Sequence, residues 1–254
     1  MPVELHAANV AAAARATKQI SLGGTCVRMR DGRVRWIDLP VHVIDFEGSS
    51  RTGVVEFGVV TLRGGAIERV ETRLCRPRRP MLPHEINVHG LRDETLAAAE
   101  PFEAEWLLFS GLRETGVLAA HFSATENALL RATWPCPRLS PDFLEPGREM
   151  AEWGPWLDTG RLIGELRPGA ASAALESVIA HLGLTAELNA AAAQWCPAAR
   201  RRFHCAPFDA LATAFVLLAL GLSEDGAAST LTHLLALSTA DARARDERRQ
   251  ARLF

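Results

Sequence analysis

The sequence predicts an α/β fold, a mixed five-stranded sheet with helices on both faces. Residues 41–74 hold three β-rich runs joined by short turns, the pattern of an antiparallel meander. From residue 101 onward short strands alternate with segments of helical period, which lays helices over a sheet. The chain has 254 residues, 48% hydrophobic and 23% charged, enough for one sizeable core with appendages.

Residues 1–40 read as an N-terminal appendage, with an alanine run at Ala11–Ala14 that suits a short helix and a turn signal at Asp31-Gly32. The main domain is expected over 41–240. Val41–Ile44 is a short β-branched run, as in a buried strand. Val54–Leu62 is the second strand, Gly64-Gly65 a turn and Ala66–Leu74 the third. Pro101–Thr115 has helical spacing, Val117–Ala120 is a strand and Ala124–Ala132 a helix. The prolines in 134–155 mark a loop. Leu157–Leu166 starts a strand-to-helix unit, and Ser172–Leu182 is a helix stopped by Gly183. Residues 190–202 read as a connection, Pro207–Leu220 as a strongly apolar helix and Leu231–Leu237 as the start of another. Residues 241–254 form a charged tail.

Lys and Arg number 28 against 30 Asp and Glu, a net charge of −2. A basic coat for nucleic acid is excluded, so any phosphate must be held by local patches or by metal ions. Five cysteines with no C-x-x-C pair argue for a reducing compartment. The N-terminal residues make a poor signal peptide, and no apolar run reaches about 18 residues, so a soluble, cytoplasmic protein without a membrane partner is expected.

Three short segments carry chemistry. Asp45-Phe46-Glu47 follows the first apolar strand directly. Residues two apart in a strand face one side, so the two carboxylates point together, an arrangement that hard cations such as Mg²⁺ or Mn²⁺ relieve. A strand running out into the polar turn Gly48-Ser49-Ser50 would look the same. In His204-Cys205-Ala206-Pro207-Phe208-Asp209, Pro207 opens a helix and Asp209 lies in its first turn. His204 precedes that helix, where an imidazole can serve as a general base. In Ala120-His121-Phe122-Ser123-Ala124-Thr125-Glu126, Glu126 also stands at a helix start, and Ser123 with Glu126 reads as a capping box.

Taken in order, these segments resemble the motifs of DEDDh exonucleases, the group that includes the proofreading epsilon subunit of DNA polymerase III. Val43-Ile44-Asp45-Phe46-Glu47 resembles the first motif, Asp-x-Glu at a strand end, and Val54–Val60 resembles the following "IIEIGAV" strand. Val88-His89-Gly90-Leu91 resembles the "IHGI" loop, and Ala120 through Leu130 the second motif, "AHNAxFDxxxL". Leu157-Asp158-Thr159 with Leu162 resembles "xDTxxLA". His204 through Ala214 matches the third motif, "HxAxxDAxxTA", at His204, Ala206, Asp209, Ala210, Thr213 and Ala214. Among the expected site residues two depart: Glu126 stands where the family has Asp, and Gly48 where it has Thr.

The resemblance implies a ribonuclease H-like fold and two-metal hydrolysis at the 3′ end of single-stranded DNA or RNA, with DNA preferred. It implies that Asp45, Glu47 and Asp209 hold one Mg²⁺ or Mn²⁺ ion. Asp45 bridges to a second ion, which Glu126 supports, and His204 takes the proton of the attacking water. Phe46, Gly48 and His89 are implied as substrate contacts, and a polymerase or other replication or repair protein as a partner. The alternative is a binding or interaction module that kept this fold without cutting, which Glu126 and Gly48 favour. The basic clusters at Arg76, Arg78, Arg79 and at Arg200–Arg202 are equally readable as phosphate contacts or as solvated loops. Trp106, Trp134, Trp153, Trp156 and Trp195 suit core or loop anchors better than base stacking.

Overall fold

The sheet is built outward from the strand that carries Asp45, as seen in a computed structural model that describes residues 18–22, 25–29, 34–145, 147–222 and 227–239. The strands in chain order are β1 (Lys18–Leu22), β2 (Thr25–Met29), β3 (Val41–Ser49), β4 (Gly53–Arg63), β5 (Ala66–Leu74), β6 (Val117–Ala120), β7 (Ser140–Pro141), β8 (Glu149–Met150) and β9 (Trp156–Asp158). The main sheet has five strands in the order β5-β4-β3-β6-β9. The first three are antiparallel, and β6 and β9 join parallel to β3 and to each other. This is the mixed five-stranded sheet expected. β1 with β2 and β7 with β8 form separate two-stranded pairs. The Ala11–Ala14 helix, the Asp31-Gly32 turn and the 241–254 tail lie outside the described residues.

The helices are α1 (Pro83–His89), α2 (Asp93–Leu96), α3 (Trp106–Thr115), α4 (Ala124–Thr133), α5 (Thr159–Leu166), α6 (Leu175–His181), α7 (Thr185–Trp195), α8 (Ala206–Gly221) and α9 (Leu231–Ser238). Two differ from the sequence expectation. The "IHGI"-like segment is not all loop: Pro83 opens α1, and Gly90 closes it in the left-handed conformation at φ 75°. The connection expected over 190–202 starts inside α7, which runs on to Trp195, because an alanine-rich run has the highest helix propensity and has Leu188 and Ala192 to bury. Among the described residues no helix is long and apolar enough to cross a membrane.

Strand alternation sorts the core into two faces. Val41, Val43, Val60 and Leu62 pack with α8 residues such as Phe208, Leu211 and Ala212. Ile44, Phe46, Phe57 and Val59 pack on the opposite side with Phe102, Phe109, Leu129 and Leu130. Asp45 and Glu47 share the parity of Val41 and Val43, so they belong to the α8 face. Val34, Trp36 and Leu39, in the segment read as an appendage, are buried in the core. Trp36 donates its indole N–H to the Gly221 carbonyl at 2.8 Å and ties the entry of β3 to the end of α8.

The most consequential glycine is Gly58, directly across from Asp45 in the β3–β4 register. A Cβ there would come within 2.2 Å of the Ala206 carbonyl oxygen and 2.6 Å of Pro207 Cα. The first turn of α8 therefore rests on bare β4 backbone, with no side chain between helix and sheet.

Gly58→Ala sets backbone against backbone, which cannot yield as a flexible side chain does. It is expected to lower the free energy of urea unfolding by about 1–3 kcal/mol, the usual cost of overpacking. An unchanged unfolding midpoint would show that α8 is not seated on this glycine.

Candidate active site

The acidic centre forms where β3 ends and α8 begins. Asp45 and Glu47 come from β3, Asp209 from the first turn of α8, and Glu126 from the first turn of α4. Glu47, His204 and Asp209 each offer a ligand atom within 4.8 Å of the others. Asp45 lies among them: burial raises its carboxyl group well above the ordinary carboxylate range, and Asp209, Glu126, Glu47 and Glu56 all push it further. Burial first, then Asp209 and Glu56, raises Glu47 to about 8. Burial, then Asp158, raises Glu126 to about 8. Asp209 rises to about 7, chiefly by burial and despite the His204 backbone N–H that it accepts.

The unpartnered oxygens distinguish this centre from ordinary helix-start acids. Asp209 Oδ2 accepts the His204 N–H at 2.9 Å, but Asp209 Oδ1 is buried with no hydrogen-bond partner. Glu126 Oε2 is buried and unpartnered in the same way. The capping box expected at Ser123 is absent, since the Ser123 hydroxyl donates to Asp158 instead. Unsatisfied buried carboxylate oxygens are costly, and oxygen donors in this number and spacing suit a hard divalent cation. The residues present therefore fit a hard divalent cation.

His204 is exposed and has a left-handed backbone, φ 61°. The loop that carries it is held by Glu56, a buried residue on β4 opposite Glu47. Glu56 accepts two hydrogen bonds from the Arg200 guanidinium and one from the Ala206 N–H at 2.9 Å. Arg200 also donates to the His89 carbonyl at 2.8 Å, as Arg202 does at 3.1 Å. Arg201 donates to the carbonyls of Cys196 and Ala193. All three arginines thus donate to groups within the protein, and of the two readings of this cluster a phosphate contact stays open for the exposed Arg202. In the other basic group, Arg78 pairs with Glu103.

The expected substrate contacts take different forms. Phe46 is buried in an aromatic cluster with Phe102 and Phe109, which makes it a floor under the site. His89 is buried, with Nδ1 accepting the Leu91 N–H at 3.1 Å and Nε2 unpartnered. Gly48 has φ 129° at a bulge between β3 and β4, and a Cβ there would come within 2.1 Å of the Gly53 carbonyl oxygen. The bulge, with its left-handed backbone, demands glycine at this point. The tryptophans anchor the fold: Trp153 is buried, and Trp106, Trp134 and Trp156 pack on the same cluster.

Three residues have roles that sequence reasoning missed. Glu56 and Asp158 both lie inside matched motifs, but nothing local shows what they bind. Asp158 accepts from the N–H groups of Phe122 and Ser123, both at 3.1 Å, and so holds the loop before α4. Phe122 stands where the family motif has Asn, and its ring is 44% exposed. A shallow groove of about 140 Å³ borders this loop, lined by Gly160, Ile163, Gly164, Pro168, Gly169 and Ala173.

No family model matches this sequence, and no curated protein matches it. Solved structures do. Exonuclease I from Methylocaldum szegediense superposes with a TM-score of 0.57 at 16% identity, over 82% of this chain and 45% of that one. E. coli exonuclease I in complex with a dT13 oligonucleotide gives 0.53 at 14% identity, over 71% and 40%. The nuclease domain of 3′hExo, a DEDDh family member bound to rAMP, gives 0.50 at 17% identity, over 70% and 90%. The chain spans less than half of each exonuclease I. These likenesses establish the fold, the ribonuclease H-like fold of DEDDh 3′-exonucleases.

Raised carboxyl groups give a signed pH dependence. The folded chain keeps protons that the unfolded chain releases from about pH 4 upward, so folded stability falls as pH rises from about 4 toward 8. In chelator, the thermal midpoint is expected to fall between about pH 5 and 8, and Glu126→Gln, which cannot ionise, to flatten that fall. Equal falls in both proteins would place the dependence elsewhere.

Proposed function

We propose that this protein is a DEDDh-type exonuclease, removing nucleotides from the 3′ end of single-stranded nucleic acid with two divalent metal ions, DNA being preferred to RNA. The observation that supports this most directly is the convergence of Asp45, Glu47, Glu126 and Asp209 from three elements on one point, with His204 beside them.

Asp45, Glu47, Asp209 and Glu126 are the residues that would hold the ions. When bound, divalent ions at such a centre neutralise charge on the scissile phosphate and acidify a water molecule. The carboxylates provide this by staying ionised against their own repulsion once cations are present. His204 is the general base, an exposed imidazole at the mouth of the centre whose backbone Asp209 fixes. Glu56 and Arg200 position it without touching substrate. Phe46 supports the strand that carries both β3 acids. Arg202 is the candidate for a phosphate contact, and the neighbours solved with dT13 and with rAMP are consistent with a single-stranded or terminal nucleotide ligand.

The non-cutting module is less well supported. Gly48 has a backbone reason for being glycine, and Glu126 reaches the centre closely enough to raise Asp45.

With Mn²⁺, 3′-labelled single strands should lose label as mononucleotides from the first time points, while 5′-labelled strands shorten progressively. DNA and RNA strands run side by side establish the preference. His204→Ala should slow degradation by about 10²–10⁴-fold, the usual contribution of a positioned base. No metal-dependent shortening of either strand would defeat the exonuclease reading.

Mn²⁺ should also raise the thermal midpoint relative to chelator, because an ion that binds only the folded state stabilises it by mass action. Asp45→Asn should remove most of that shift, and His204→Ala should leave most of it. Equal shifts in wild type and Asp45→Asn would place the metal somewhere else.

A further inference from the structure

Among the described residues, only Phe122 and His204 are non-glycines with a left-handed backbone, at φ 60° and 61°. Histidine enters that region fairly readily, whereas a bulky phenylalanine there is an outlier. Strain of this kind persists only where the surroundings over-determine it, and it gathers at functional sites. Here Asp158 supplies the determination, since its two oxygens accept the N–H groups of Phe122 and Ser123. Asp158 is itself buried, and it also accepts the Ser123 hydroxyl and the Arg161 N–H.

The strain is not offset by filling the core, because the Phe122 ring is 44% exposed. Its seat is shallow. One edge lies over Gly160, where a Cβ would come within 2.7 Å of the ring. The His121 ring meets it edge-on at 4.8 Å. His121 is pinned in turn, its Nε2 donating to the Ala173 carbonyl at 2.7 Å and its Nδ1 accepting from the Thr159 hydroxyl at 2.9 Å.

The placement points toward the acidic centre. β6 runs parallel to β3 with Val43 opposite Ala119, so continuing the register brings Asp45 level with His121 at the same sheet edge. Phe122 is the next residue, and Glu126 lies one helical turn beyond it. A solvent-facing ring therefore leaves the sheet from the strand next to the one that carries Asp45, on a loop whose backbone the buried Asp158 fixes.

We infer that Phe122 is a stacking platform for a nucleobase of the bound single strand, and that it positions the strand relative to the acidic centre. The inference rests on the exonuclease reading above. Every base has a π-face, so the platform tolerates any sequence but needs a base.

The test is the affinity of the full chain for a fluorescent single-stranded oligodeoxythymidine and for an abasic strand of equal length. Fluorescence anisotropy reads it, with Ca²⁺ as the divalent ion. Phe122→Ala should weaken binding of the base-bearing strand by about 5- to 150-fold, the worth of one base–aromatic stack. Phe122→Asn, whose side chain tolerates the left-handed backbone, should lose as much while keeping the fold. Phe122→Trp should retain affinity, and all four proteins should bind the abasic strand alike. Wild-type affinity in the Ala and Asn variants, or an equal loss on the abasic strand, would overturn the platform. Degradation of 3′-labelled DNA in Mn²⁺ is measured alongside. Degradation without any Phe122 effect on affinity removes the platform and leaves the exonuclease. Phe122-dependent binding without degradation removes the exonuclease and leaves the platform.

Discussion

The close approach of α8 to β4 at Gly58 is the contact on which the site depends. Asp45 sits opposite Gly58 on the neighbouring strand, so whatever rests on Gly58 rests beside Asp45. Because no side chain intervenes, the first turn of α8 comes down to the sheet and carries Asp209 to the carboxylates of β3. Glu56 secures the same junction from β4: it accepts the Ala206 N–H at the helix start and the Arg200 guanidinium from the loop before it. A buried carboxylate that satisfies a helix N-terminus and an arginine together is held firmly, since removing either partner leaves a desolvated charge.

That geometry works against the stability of the metal-free protein. Four carboxylates are withdrawn from water at one point, and burial rather than mutual repulsion is the largest cause of each raised group. Phe122 and His204 add backbone strain in the loops that lead into α4 and α8. The rest of the molecule supplies the offset through two apolar layers on either face of the sheet and the Trp36 anchor at the end of α8. A cation would turn the same crowding into affinity, because ligands already gathered and desolvated need little further ordering to bind it.

The departures from the family pattern also become readable as geometry. Gly48 is required by a bulge whose left-handed backbone and close approach to Gly53 admit no side chain. Glu126 keeps one carboxylate oxygen buried and unpartnered, while Asp158 organises the turn that precedes it. Phe122 replaces the asparagine that a left-handed position would ordinarily favour, which gives the loop an aromatic surface at the expense of local strain.

Local pattern determined a good deal. The β-branched runs and turn signals placed β3, β4 and β5, and the switch of period placed β6, α4 and α8, because those elements bury continuous or regularly spaced apolar residues. Resemblance to one family's motifs, met in the same order, singled out Asp45, Glu47, Glu126, His204 and Asp209 as expected site residues. The tertiary structure alone decided what each group touches. Glu56 pairs with Arg200, 144 residues away, and Asp158 holds a loop 35 residues before it. Trp36 reaches Gly221 across 185 residues. Such contacts leave no periodicity behind, because a single hydrogen bond between distant residues constrains two positions and nothing between them. The same limit explains why Arg200 and Arg201 were equally readable as phosphate contacts or as solvated loop, and why Phe122 looked like nothing in particular. Charge and hydrophobicity are properties of a residue, whereas being satisfied, strained or exposed is a property of its place in the fold.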